Sequence, residues 1–243
     1  MSRFYVPKEA ISGKIIRITG EQAHHIVDVM RLNKLDKVVT FDGTGREYIG
    51  FIKDIKGKSV IVELVETRTP PSKESSKLTL IQAIPKKEKM DYIVEKATEL
   101  GVNSIIPLIT GRTIPDWDQP KRVSQVERWR KISLEASKQC GRSDIPRIED
   151  IKTFAEIAAK VDGYDLALIA ALDDRAEPLK KILFGFRGGN IAIAIGPEGD
   201  FTPFEVEEAK KIGFRVVNLG PRVLKSDTAG LAVLAILNYE LTN

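Results

Sequence analysis

From Leu78 to Asn218 one rhythm repeats: a short run of branched apolar residues, then a stretch with helical spacing. The runs are "LTLIQAI", "SIIPLI", "DLALIAAL", "NIAIAI" and "RVVNLG". None of them alternates apolar with polar, as a strand with one wet face would. Strands that read apolar on both faces must be covered on both sides, and strands separated by helices pair in parallel. The pattern therefore predicts an α/β fold with a parallel sheet. Between the first two runs, "KKEKMDYIVEKATELG" places Met90, Ile93, Val94, Ala97 and Leu100 on one stripe and stops at Gly101, a favourable C-terminal cap. A further helix is expected across "VERWRKISLEASKQC", and others beginning near Glu177, Thr202 and Ser226.

The first 70 residues have another texture. "GKIIRI", "KVVTFDGTGREYIGFIKDI" and "KSVIVELVE" read as short strands at the spacing of a small antiparallel barrel, with hairpin glycines in "FDGTGREY" and one short helix at "GEQAHHIVDVMR". This part holds 12 Lys and Arg against 9 Asp and Glu, a net +3 of the chain's +4. The stretch Thr67 to Lys77, "TRTPPSKESSK", has two prolines and almost nothing apolar and reads as a linker. The expected domains are residues 1–70, a linker at 71–77, and residues 78–243.

The 243 residues suffice for one large domain or two small ones. The longest apolar run, Ala229 to Leu237, is far short of the roughly 20 residues of a membrane span. The start "MSRFYVPKEA" has no apolar core of a secretory signal. A single cysteine, Cys140, forms no internal disulfide and suits a reducing cytosol, so a cytoplasmic protein is expected. A pI near 9.0 permits contact with nucleic acid without requiring it.

Ligands of open α/β sheets bind beyond the carboxyl ends of the strands. Three such ends are unusual: "ALDD" at 171–174, "GPEGD" at 196–200 and "LGPRVLKSDT" at 219–228. In the second, Thr202-Pro203-Phe204-Glu205 is a capping box with proline at the first helical position, so the helix start is well fixed. The loop lacks the glycine spacing of dinucleotide and phosphate loops, which argues against a nicotinamide oxidoreductase, and Glu198 and Asp200 would repel phosphate. It suits a neutral or cationic ligand. The third is its basic counterpart: Arg222 and Lys225 flank Val223-Leu224, and Ser226, Asp227 and Thr228 open the last helix as favoured capping residues.

"IGPEGDFTPFEVEEAKKIGFRVVNLGPRVLKSDTA" resembles the signature of the ribosomal RNA small-subunit methyltransferase E (RsmE) family, of the SPOUT superfamily. "HHIVDVMRL", "KATELGVNSIIPLIT" and "EASKQCGRSDIP" are similar to further blocks of that family, in its order. The family usually has glycine at the position of Asp200, arginine at Lys225 and Thr-Glu at Ser226-Asp227. Lysine does not reproduce the bidentate fork of arginine. The resemblance implies a PUA-like β-barrel for RNA at the N-terminus and, behind it, an α/β trefoil-knot domain that binds cofactor and forms a homodimer. It implies methyl transfer from S-adenosylmethionine to N3 of a uridine in small-subunit ribosomal RNA, free or in the assembled subunit, with no metal and no membrane. The implied cofactor cradle is Leu172, Ile195, Gly196, Pro197, Glu198, Gly199, Leu219, Gly220, Val223, Leu224, Ser226 and Ala229.

Attack by uridine N3 needs its proton removed, and charge then builds on N3, O2 and O4. Arg222, Lys225 and Arg142 are the candidate cations for those oxygens, and Asp227 or Glu198 the candidate proton acceptor. Arg3, Arg31, Lys34 and Arg46 are candidate phosphate contacts. His24 and His25 lack the companions of a metal site, and His25 reads as a packed helix residue. Trp129 reads as core and Trp117 as a possible base-stacking ring. Cys140 reads as a packed thiol. Other readings are a knotted methyltransferase acting on ribose 2′-OH or another base, and a non-catalytic ribosome-assembly factor that binds RNA.

Overall fold

Residues 3–69, 76–158 and 161–241 are described by a computed structural model. The chain divides into two compact units, one of Met1–Pro71 with Ser137–Ile145, the other of Ser72–Ala136 with Pro146–Asn243. Ser137–Ile145 thus clusters with the N-terminal unit, although the sequence reading assigns it to the C-terminal domain. Of the expected linker at 71–77, residues 71–75 lie outside the described residues, and Lys77 already belongs to a strand.

The N-terminal unit contains β1 (Arg3–Tyr5), β2 (Ile11–Ser12), β3 (Ile15–Thr19), α1 (Gly20–His24), β4 (Lys37–Phe41), β5 (Glu47–Lys56) and β6 (Ser59–Arg68). Its six strands run in the order β1-β4-β5-β6-β3-β2. The pairs from β4 to β2 are antiparallel, as the alternation predicts, but β1 joins β4 in parallel, with Arg3 opposite Val39. Three residues before a proline are too few for a period to show. The helix read at "GEQAHHIVDVMR" is an α-turn that widens into a π-turn over His25–Val29. Phe4, Ile16, Ile18, Ile26, Ile52 and Val62 form the core.

The C-terminal unit contains β7 (Lys77–Ala83), α2 (Lys89–Glu99), β8 (Ser104–Ile109), α3 (Gln119–Cys140), β9 (Arg147–Ile148), β10 (Lys152–Thr153) and α4 (Phe154–Ala158). Then come β11 (Leu166–Ala170), β12 (Glu177–Pro178), α5 (Leu179–Leu183), β13 (Asn190–Ile195), α6 (Pro203–Lys211), β14 (Arg215–Asn218) and α7 (Ser226–Leu241). The last turn of α3 lies in the segment that clusters with the N-terminal unit. The sheet runs β10-β8-β7-β13-β11-β14-β12, with β9 beside β8. Every pair in it is parallel.

β13 shows why. Successive side chains of a strand point to opposite faces. Ile191, Ile193 and Ile195 therefore meet one layer, built from α2, α5, α7 and part of α3. Ala192 and Ala194 meet the other, with Val206 and Ala209 of α6 and with Phe201 and Phe214. Leu80, Ile191, Ile193, Val233 and Leu234 have no exposed surface. The stripe read on α2 is buried from Met90 to Ala97, and Leu100 packs against it. α3 begins at Gln119, well before the expected Val126, because the Asp118 carboxylate accepts the Lys121 amide and caps the first turn.

Candidate functional site

A cavity of about 530 Å³ opens at the carboxyl ends of β11, β13 and β14. That is within the usual range for a small-molecule site, and it lies where the sheet topology changes direction, since β13 inserts between β7 and β11. Its walls are the three loops singled out in the sequence.

The loop after β13 is fixed from several sides. The Asp200 amide donates to the Pro197 carbonyl at 3.0 Å and closes a tight turn. A side chain at Gly196 would stand 3.1 Å from both Asp200 Oδ1 and the Phe201 nitrogen, a tight approach that favours glycine. The capping box read in the sequence is present: Thr202 Oγ1 accepts from the Glu205 amide, and Glu205 accepts from the Thr202 amide at 2.8 Å. The other Glu205 oxygen accepts from the Gly111 amide at 2.8 Å, and Arg112 Nη1 donates to the carbonyls of Gly199 and Phe201 at 2.6 and 3.2 Å.

The loop after β14 turns at Gly220, with φ of +124°. It then exposes Arg222 and Val223 and enters α7, whose Thr228 and Ala229 amides donate to the Lys225 carbonyl at 2.9 and 2.8 Å. Buried Ser226 ties the two loops together. Its hydroxyl donates to the Gly196 carbonyl at 2.5 Å and accepts from Gln82 Nε2 at 3.0 Å. The loop after β11 is joined in turn, the Leu172 amide donating to Asp200 Oδ2 at 2.8 Å. Asp173 receives Lys210 Nζ at 2.7 Å and Arg175 Nε at 3.3 Å. Lys210 foremost, with Arg175, holds the Asp173 carboxyl far below the usual carboxylate range.

Eleven of the twelve expected cradle residues line this cavity; Gly199 does not, its carbonyl being turned to Arg112. Arg222 and Lys225 line it too, exposed and with no ion pair among the described residues. Asp227 stands behind the wall, with its carboxylate 3.3 Å from Lys89 Nζ. Glu198 lines the cavity, accepts the Lys86 amide at 3.1 Å and lies 3.7 Å from the same ammonium. Arg142 belongs to the other unit, where it pairs with Asp144 at 2.5 Å.

Sequence reasoning missed Lys89 and did not count Asp200 in the cradle, although both line the cavity. Lys89 opens α2 just beyond the carboxyl end of β7, where the rule that located the three loops also applies.

The candidate phosphate contacts divide. Arg3 is largely buried, donating to Glu47 at 2.6 Å and to Ser143 at 2.8 Å and lying over the Phe41 ring, so its guanidinium is taken up inside the unit. Lys34 pairs with Asp54 at 2.6 Å. Arg31 is exposed without an ion pair among the described residues, and Arg46 is exposed beside the Tyr48 hydroxyl. Trp129 is buried and donates to Asp91 at 3.1 Å, and partly buried Trp117 leans on it with ring centres 6.1 Å apart and packs against the core. His25 packs edge-on against Phe4, and His24 pairs with Asp28. Cys140 is exposed instead of packed, because it sits on the outer side of the last turn of α3.

Residues 72–238 match the family model described as an RNA methyltransferase domain, and residues 18–65 match the one described as an RNA methyltransferase PUA domain. The chain is 30% identical over 228 residues to the ribosomal RNA small subunit methyltransferase E of Bacillus subtilis, covering 92% of this chain and 89% of that protein. It is 32% identical over 237 residues to the enzyme of the same name from Rickettsia conorii, covering 96% and 93%. The crystal structure of the ribosomal RNA small subunit methyltransferase E from Neisseria gonorrhoeae bound to S-adenosyl methionine matches with a TM-score of 0.87 at 29% identity, over 99% of this chain and 98% of that one. The chain belongs to the ribosomal RNA small-subunit methyltransferase E family of RNA methyltransferases.

Proposed function

We propose that the cavity binds S-adenosylmethionine and that the chain transfers its methyl group to N3 of a uridine in small-subunit ribosomal RNA. The observation that carries this reading is the cavity itself. Three strand-end loops, locked to one another, surround an apolar space with two unpaired cations, Arg222 and Lys225, on its wall. The residues fit the cofactor. Leu172 and Val223 are apolar yet 70% and 75% exposed, which suits them to covering a flat aromatic group. The close approach at Gly196 leaves backbone groups to read the edge of a base. Glu198 and Lys89 supply one charge of each sign for an amino-acid moiety.

When bound, the cofactor supplies an electrophilic methyl carbon on a sulfonium. The chain's own residues manage the charge on the uridine. Arg222 and Lys225 offer donors to O2 and O4, where negative charge develops as N3 loses its proton, and fixed donors of this kind lower the barrier because they need no reorganisation. Of the two candidate proton acceptors, Glu198 is favoured because it faces the cavity, whereas Asp227 lies behind the wall. Arg142, in the other unit, remains a candidate contact to the substrate. The basic N-terminal unit is the RNA-gripping part, chiefly through Arg31 and Arg46. The trefoil threading and a homodimer belong to this proposal as well; exposed Ile236 and Tyr239 on α7 support a partner on that helix.

The test is methyl transfer from labelled S-adenosylmethionine to small-subunit particles that lack their own modification, with the modified nucleoside identified by its chromatographic retention against standards and by whether fragmentation leaves the methyl on base or ribose. N3-methyluridine is the expected product. A 2′-O-methyl nucleoside or another methylated base overturns the N3 assignment and leaves methyl transfer standing.

A further inference from the structure

Asp200 carries a backbone conformation that an ordinary residue avoids, with φ of +61°. A non-glycine residue is strained there, less so for Asp or Asn, whose short polar side chains bond locally. The Asp200 side chain does bond locally, and it also reaches further. Oδ1 accepts the amide of its neighbour Phe201 at 2.7 Å. Oδ2 accepts the amide of Leu172 at 2.8 Å, across 28 positions of sequence. One carboxylate thus joins the loop after β13 to the loop after β11, and both loops are walls of the same cavity.

The side of the β11 loop away from Asp200 is held as well. Asp173 is gripped by Lys210 of α6 and by Arg175, and both of these cations also reach Glu207 of α6. Leu172 therefore sits between two anchors, both supplied by α6 and the turn before it. Its own side chain is 70% exposed and belongs to neither core cluster of its unit among the described residues, so its backbone largely sets where it points.

We propose that Asp200 is a positioning residue for the cofactor: it braces the β11 loop against the β13 loop so that Leu172 is already in place over the cavity before a ligand arrives. The inference rests on the cofactor reading above. Pre-ordering a wall removes the cost of ordering it on binding. The effect should therefore appear in affinity.

The experiment is calorimetric titration of the full chain, as wild type, Asp200→Gly and Asp200→Asn, with S-adenosylmethionine and with S-adenosylhomocysteine. Urea unfolding and amide exchange at Leu172 are measured alongside. Glycine adopts this backbone without strain, so Asp200→Gly removes the brace while relieving the conformation. The expected result is a dissociation constant raised roughly threefold to tenfold, by the same factor for both ligands, with a faster-exchanging Leu172 amide and little change in the urea midpoint. Asp200→Asn keeps one acceptor oxygen and the same tolerance of positive φ, and should fall between the other two; it also carries the comparison should the glycine variant fold poorly. Unchanged affinity for both ligands in a wild type that binds them overturns the brace alone. Loss confined to S-adenosylmethionine overturns it in favour of simple attraction to the sulfonium charge. A wild type that binds neither ligand overturns the cofactor reading and the brace with it.

Discussion

In the N-terminal unit Arg3 and Arg68 close on the buried carboxylate of Glu47, each at 2.6 Å, and Ser143 donates to it as well. At the cavity of the C-terminal unit, Arg222 and Lys225 close on no carboxylate among the described residues. Both regions carry exposed-type cations in sequence, yet Arg3 and Arg68 in the first complete a buried group, while Arg222 and Lys225 in the second are left for whatever enters. What separates a structural arginine from a ligand-binding one is whether a buried acid needs it. Composition cannot report that, and pairing geometry can.

The comparison can be broken most directly at Arg222. With alanine there, methyl transfer should fall about 100- to 1,000-fold, the size of losing one preorganised donor, while calorimetry finds cofactor affinity nearly intact. Equal activity in the variant would sink the role of this residue. The next largest effect is expected at Glu47. Burial alone would raise its carboxyl, but hydrogen bonds from Ser143, Arg68 and Arg3 outweigh that and leave it lowered. Its contribution to stability is present above the ordinary glutamate value of 4.5 and is lost as pH falls through the lowered one. Replacing Glu47 with Gln leaves two guanidinium groups facing a neutral amide. The N-terminal unit should lose about 3 kcal/mol in urea unfolding at neutral pH, and the difference from wild type should shrink in acid. A difference that grows in acid would contradict the network.

The smallest effect sharpens the comparison where it is least certain by eye. Each phosphate contact removed should reduce the slope of log affinity against log salt by roughly 0.7–0.9. Arg31→Ala and Arg46→Ala are expected to do so in RNA-binding titrations, whereas Lys34→Ala, already paired with Asp54, should change the slope less.

What the sequence disclosed follows the same division between local and distant. The parallel sheet is legible because its runs carry their apolar pattern within six or seven residues. The Thr202–Glu205 capping box is legible because a cap is made by residues three apart. The GPEGD and LGPRVLK loops stand out by composition at strand ends. Lys89 does not, because its partners Glu198 and Asp227 are more than a hundred positions away and only the folded sheet brings β7 beside β13. The pairing of Arg3 is hidden for the same reason: its partners lie 44 and 140 positions along the chain. The strand it starts is too short to show a period.

The assignment of Ser137–Ile145 to the N-terminal unit has a consequence for synthesis. β1 to β6 can pair once Arg68 has left the ribosome, and by then Glu47 has both arginines. Ser143, which shares the same carboxylate and anchors Arg3, is made 96 positions after Glu47, behind β7, α2, β8 and all of α3. The first unit is therefore completed in the middle of the second, and the two cannot mature one after the other as beads on a thread. Contacts so far apart in sequence form late, because a long loop must close before they reward it. During translation the Glu47 carboxylate waits, short of one donor, while the other unit begins to grow.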